Sequence, residues 1–173
     1  MFKTVVLAAA MVTSVFTFAP SAHAALSQAQ KTAIDAKKGN KDLLVSLTSG
    51  MVANAGATDA QKQMAIDIVA YLAPSYPRIA ILLVGQFSAG NKAAAPAIAA
   101  AAAGANQNIA VPAARAAAAA APAYASQTIN QVSAVAPCQL ALITAAVNYA
   151  STAGELEQQT LINNPIDNST SAK

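Results

Sequence analysis

The chain has 173 residues, of which 55% are hydrophobic and only 10% charged, with a formal net charge of +3, one histidine and one cysteine. That is room for one domain with a modest core. The positive surplus is too thin and scattered for the dense basic stripe of a nucleic-acid binder, and one cysteine cannot build a disulfide framework. Low charge also weakens the repulsion that keeps surfaces apart, which favours self-association.

The chain opens MFKTVVLAAAMVTSVFTFAPSAHA. Lys3 precedes an apolar run from Val5 to Phe18, Pro20 breaks it, and Ala22-His23-Ala24 follows as a small-residue cleavage triplet. This order predicts an export signal over 1–24, removed after Ala24. An uncleaved anchor is the alternative, but the run falls short of the roughly 20 apolar residues that a span requires. His23 is the only histidine and leaves with the signal, so imidazole chemistry and most metal sites leave with it. No cofactor, no metal ligand set and no membrane span are expected in the remainder.

Residues 25–162 read as a single all-helical, repeat-like domain. A first helix, LSQAQKTAIDAKKG, is capped by Ser27 and stops near Gly39; Asn40 caps a second that ends by Gly56; Thr58 or Asp59 caps a third, with Met64, Ile68 and Tyr71 on its apolar face. Pro74 closes the third and opens the most apolar segment, SYPRIAILLVGQFSAG. Ile79–Val84 within it would suit a buried strand on composition alone, but the proline-led neighbours are helical in pattern.

The clearest repeat comes late. Pro122 and Pro137, fifteen residues apart, carry matching residues at the same offsets: Ala125 and Leu140, Ile129 and Thr144, Val132 and Val147, Val135 and Ala150. Steps of four and three trace one helix face, and proline is tolerated at the first helical position. Counted from Pro74, the residues Pro77, Ile81, Val84 and Phe87 fall at those offsets, and Tyr76 falls where Tyr124 does. Between these segments the alanine-rich stretch from Lys92 to Pro122 is expected to be helical. Its prolines, Pro96 and Pro112, do not keep the spacing, so the register is expected to slip there, with a loop or hinge over Gly104–Val111. The repeat stops at Gly154, and 163–173 reads as a flexible polar tail; Asn168-Ser169-Thr170 has the glycosylation spacing, a three-residue match too common to weigh.

The expected fold is therefore all-α, short proline-initiated antiparallel helices stacked as helical hairpins in an α-solenoid-like array. A compact, irregular helical bundle is the alternative.

Chemistry-bearing residues are sparse. Cys138, the only thiol, lies one residue past Pro137 near a helix start, outside the apolar offsets, which argues for exposure; it is an inert small hydrophobe of the commonly buried kind, a disulfide link to a partner, or a reactive thiol. Asp59 and Asp67 could share a helical face as a carboxylate pair, but solvated surface residues are the simpler account. No EF-hand, glycine-rich phosphate loop or HExxH is present. Tyr76 and Tyr124, at the same offset, are expected on one edge of the stack as a contact surface. Ile81, Leu82, Leu83 and Phe87 are candidates to line an apolar groove. The sequence thus points to a non-catalytic exported protein of the bacterial envelope or exterior, structural or adaptor in role, acting by protein contact and self-assembly. A periplasmic carrier of an apolar small ligand is the alternative. A membrane-surface protein comes third, resting on Lys37, Lys38 and Lys41 alone.

Overall fold

The computed structural model describes residues 26–56 and 58–163, with 154–163 described by backbone alone. Every regular element among them is helical: α1 (Gln28–Asp35), α2 (Lys41–Ala53), α3 (Thr58–Leu72), α4 (Pro77–Gly90), α5 (Ala95–Ala105), α6 (Ala110–Ala120), α7 (Ala125–Val135) and α8 (Leu140–Asn163). The expected signal over 1–24 and the tail after Asn163 lie outside the described residues. Ser27 and Gln30 form a reciprocal capping box on α1, and the Asn40 side chain accepts from the Asp42 and Leu43 amides to start α2. Gly56 supplies the positive φ of +87° that the turn after α2 needs. Ile79–Val84 is helical, inside α4.

From α3 onward the chain keeps a strict fifteen-residue period. Tyr76, Asn91, Asn106, Ala121 and Ala136 each break the helix as a single extended residue, with φ between −131° and −151°. At each, the amide donates to the carbonyl four residues back, in Leu72, Phe87, Ala102, Ala117 and Val132. Two different chemistries produce this one turn. Tyr76, Ala121 and Ala136 precede Pro77, Pro122 and Pro137, and a residue before proline is driven out of the helical region. Asn91 and Asn106 do it with their side chains, which accept from the Ala94 and Asn108 amides.

The expected slip in register is therefore absent. Asn91 and Asn106 hold the beat, while Pro96 and Pro112 sit within the first turns of α5 and α6, where proline costs little. The equivalent of Pro122 is Pro77 rather than Pro74. An error of three residues is almost one helical turn, so it leaves an apolar pattern looking nearly unchanged. Nor is 104–111 a hinge: the Asn106 side chain donates to the Ala73 carbonyl, Gln107 to that of Val135, and Gln139 to that of Gln107, tying three successive turns together along one edge.

The helices form two layers. α3, α5 and α7 pack side by side in one, α4, α6 and α8 in the other, and each helix also packs on its successor across the layers. This is the expected stack of hairpins. Counting the helix-breaking residue as position 0, positions 7 and 11 face inward in every unit. They are Leu83, Ile98, Ala113, Thr128 and Ile143, then Phe87, Ala102, Ala117, Val132 and Val147, all buried. Positions 4, 8 and 12 face the next helix of the same layer and are buried in α4, α5 and α6. α3 follows the same spacing with Ala65, Ile68, Val69, Leu72 and Ala73, whereas α2, with Leu44 and Thr48 buried, does not. The alanine-rich centre is thus the core of the stack. A buried methyl contributes only about 0.8 kcal/mol, so the stability there depends on close, gap-free packing.

Candidate functional site

The four candidates for a groove separate in the fold. Leu83 is fully buried, Phe87 nearly so, Ile81 is half-buried, and Leu82 points outward. Successive helical residues lie about 100° apart, so a run of four cannot line one groove. Phe87 borders a cleft, a space of about 280 Å³ bounded also by Val52, Gln61, Lys62, Asn91 and Ile98.

Tyr76 and Tyr124 do not share an edge. Tyr76 lies at the α3–α4 turn and Tyr124 at the α6–α7 turn, three turns on, and consecutive turns fall on opposite edges of an antiparallel stack. Both rings are half-buried against the core, closing it where a helix begins. Their shared offset in the sequence came from counting from Pro74. The Tyr124 carbonyl also accepts from the buried Thr128 hydroxyl.

The other two tyrosines work between helices. The Tyr71 hydroxyl donates to Asp35 Oδ2 at 3.0 Å and Lys31 lies over its ring, which joins α1 to α3. That hydrogen bond, with lesser contributions from desolvation and the Asp35 charge, raises the phenol pKa above its ordinary value. Arg115 of α6 lies over the Tyr149 ring of α8, 5.6 Å from its centre.

The two ends of the stack differ. At the first, α1 and α2 cover α3 and α4 and present Lys31, Asp35, Lys37, Lys38, Lys41 and Asp42. At the last, no described helix follows α7 and α8, and the stripe at positions 4, 8 and 12 is uncovered. Ile129 and Thr144 are half-buried where Val84, Ala99 and Ala114 are fully buried. Leu140 is 49% exposed at a position where Ala80, Ala95 and Ala110 are buried. Around the same helix Leu142 is 63% and Tyr149 66% exposed, with Ala141 and Ala145 exposed between them. Cys138 is a free, exposed thiol on the 3₁₀ turn that leads into α8. From Ala116 to Gly154 the sequence has no Asp, Glu, Lys, Arg or His.

Leu142 and Tyr149 lie on one side of α8 and Leu140 nearly opposite, so the charge-free 140–154 part of this helix presents large apolar side chains on two sides, the kind of surface that marks a contact site. Leu140 and Leu142 were not among the residues singled out from sequence as contacts, whereas Tyr149 belongs to the four tyrosines, with Tyr71, Tyr76 and Tyr124, that suggested an interface. Two signals pointed to this surface: the long charge-free run, and the large side chains of Leu140 and Tyr149 at positions held by Ala or Gly in α4 to α7. Among the described residues no three His, Cys, Asp or Glu side chains converge as a metal site would require, and no helix is long and apolar enough to cross a membrane. No protein-family model matches this chain, and neither a curated protein nor a solved structure does.

Proposed function

We propose that this chain is a non-catalytic exported protein of the bacterial envelope or exterior that acts by protein–protein contact, through the uncovered side of α8 and the adjoining end of α7. The observation that carries this reading is the exposure of Leu140, Leu142 and Tyr149 within a stretch free of ionisable charge. Apolar residues held in water by a folded scaffold gain when a partner covers them. The order of charge, apolar run and A-x-A at the start supports export. The loss of the only histidine with the signal, and a lone thiol, support a role without catalysis.

The test is a photo-crosslinking amino acid placed at Leu142, and separately at the exposed Ala93 on the far edge, in the producing cell. Expected is a chain that begins at Ala25 in the exported fraction and a protein adduct at 142 but not at 93. Retention inside the cell with residues 1–24 intact would remove the export reading. Lack of any adduct at 142 would remove the contact reading.

A second reading rests on the cleft beside Phe87. Val52, Phe87 and Ile98 offer it an apolar wall and Lys62 a cation at the rim, which suits a small apolar anion. Native mass spectrometry of the isolated chain would show a retained small molecule if this reading holds.

A further inference from the structure

We propose that the occupant of the α7–α8 end is the same end of a second copy of this chain, the two related by a two-fold axis. The inference rests on the contact reading above and names its partner.

The fold itself shows what covers this stripe elsewhere. α5 packs on α7 and α6 on α8, and the position 8 residues of both covered helices, Ala99 and Ala114, are fully buried. The cover in each case is a helix of the same repeat, uncharged toward its neighbour. A second copy offers an uncovered helix of that kind at one end only, because α1 and α2 close the other.

Charge leads to the same pairing. If the open end met the first end of another copy, Lys31, Asp35, Lys37, Lys38, Lys41 and Asp42 would face a surface with no charge to pair with, and they would lose water for nothing. Two first ends would bring their lysines together. Over α7 and the 140–154 part of α8, two last ends meet without charge on either side, so no repulsion opposes them there and no complementary charge is required. A like-to-like contact of this sort closes at two subunits, whereas head-to-tail stacking would continue without limit.

The face is small. It is two helices wide, and α7 has 11 residues, or about 16 Å of length. That is less than a standard interface of about 800 Å² per partner unless the outward side of α8 also contributes. Association is therefore expected in the micromolar range.

The experiment is light scattering of the chain, as the cell processes it, over a wide concentration range, together with the mass of the Leu142 adduct. Expected is a mass that rises from one chain to two and stops, and an adduct of twice the chain mass. Leu140→Glu, on the uncovered stripe, and Ala145→Glu beside it each place a carboxylate in a contact that holds no cation, so each should weaken dimerisation at least about tenfold. Both positions are exposed, so the helical circular dichroism of the single chain should not change. Leu43→Glu, on the exposed face of α2 at the opposite end, should leave the dimer intact. A dimer indifferent to Leu140→Glu and Ala145→Glu overturns the inference, and a mass that climbs past two overturns the two-fold closure. A monomer at every concentration whose Leu142 adduct contains a different protein overturns this inference while the contact reading stands. A monomer with no adduct removes both.

Discussion

α6 and α8 lie side by side in one layer and share one backbone plan, yet they place different residues at the same positions. At positions 4, 8 and 12, α6 has Ala110, Ala114 and Ala118, all buried, and α8 has Leu140, Thr144 and Asn148, all at least partly open to water. The difference follows from the next neighbour. α6 has one in α8, so nothing larger than a methyl fits; α8 has no described successor, and size and polarity are both released. In a repeat stack the residue that a position tolerates is set by its cover and not by its place in the helix.

The strongest test of this contrast is one substitution made twice. Ala114→Leu forces four-carbon bulk into a closed helix pair and should cost about 1–3 kcal/mol, or more if α6 and α8 cannot separate. Thr144→Leu at the equivalent position has open space and should stay within about 0.5 kcal/mol. Urea unfolding of the two variants decides it; equal losses would mean that the α8 stripe is covered after all.

The turns allow the next comparison. Asn106 and Ala121 break the helix alike, but Asn106 relies on its side chain, which caps the Asn108 amide and reaches the Ala73 carbonyl, while Ala121 relies on Pro122. Asn106→Ala should therefore cost about 1–2 kcal/mol. The combined change Asn106→Ala with Gln107→Pro copies the Ala-Pro turn and should recover the break but neither the bond to Ala73 nor that of Gln107 to Val135.

That pair of turns also explains what was legible in the sequence. All-helical class, hairpin stacking and the caps at Ser27 and Asn40 follow from local chemistry and could be read directly. The period could be read where Ala-Pro marks it, at Pro122 and Pro137, but not where Asn91 and Asn106 produce the same φ by hydrogen bonding, because the proline that marks the other turns is missing there. Pro74 misled because it lies three residues from the true mark, and a helix nearly repeats after three. The uncovered stripe was harder still: whether Leu140 is exposed depends on which helix stands beside it, and that is a property of the assembled stack.

Ser88 gives a smaller contrast within one position. Position 12 is Ala73, Ala103 and Ala118 in the other covered helices, and in α4 it is a serine whose hydroxyl is buried without a hydrogen-bond partner. Ser88→Ala should stabilise the fold by about 1 kcal/mol. Ser133 holds the same position in α7, is half-buried, and donates to the Asn130 carbonyl at 3.3 Å. Ser133→Ala should change stability by less than about 0.5 kcal/mol. Thermal unfolding measured side by side would show a gain for Ser88 alone.

The smallest effect concerns the helix that stands outside the period. α1 keeps its place partly through Ile34, which is fully buried, and partly through the hydrogen bond from Tyr71 to Asp35. The neutral phenol donates that bond; the phenolate would face the Asp35 carboxylate, so the folded state holds its proton more tightly than the unfolded chain does. A raised pKa in the folded state means that the contribution is whole below the unfolded value of about 10 and is lost as pH rises through the folded one. Wild-type stability should accordingly exceed that of Tyr71→Phe at pH 8, and the gap should close above pH 10. Hydrogen exchange would locate the change in α1, with the amides of α5 and α6 unaffected. A gap that persists unchanged at high pH would mean that α1 is held by Ile34 and the capping box alone, and that the first end of the stack is closed by packing, as the covered helices are, rather than by this polar clamp.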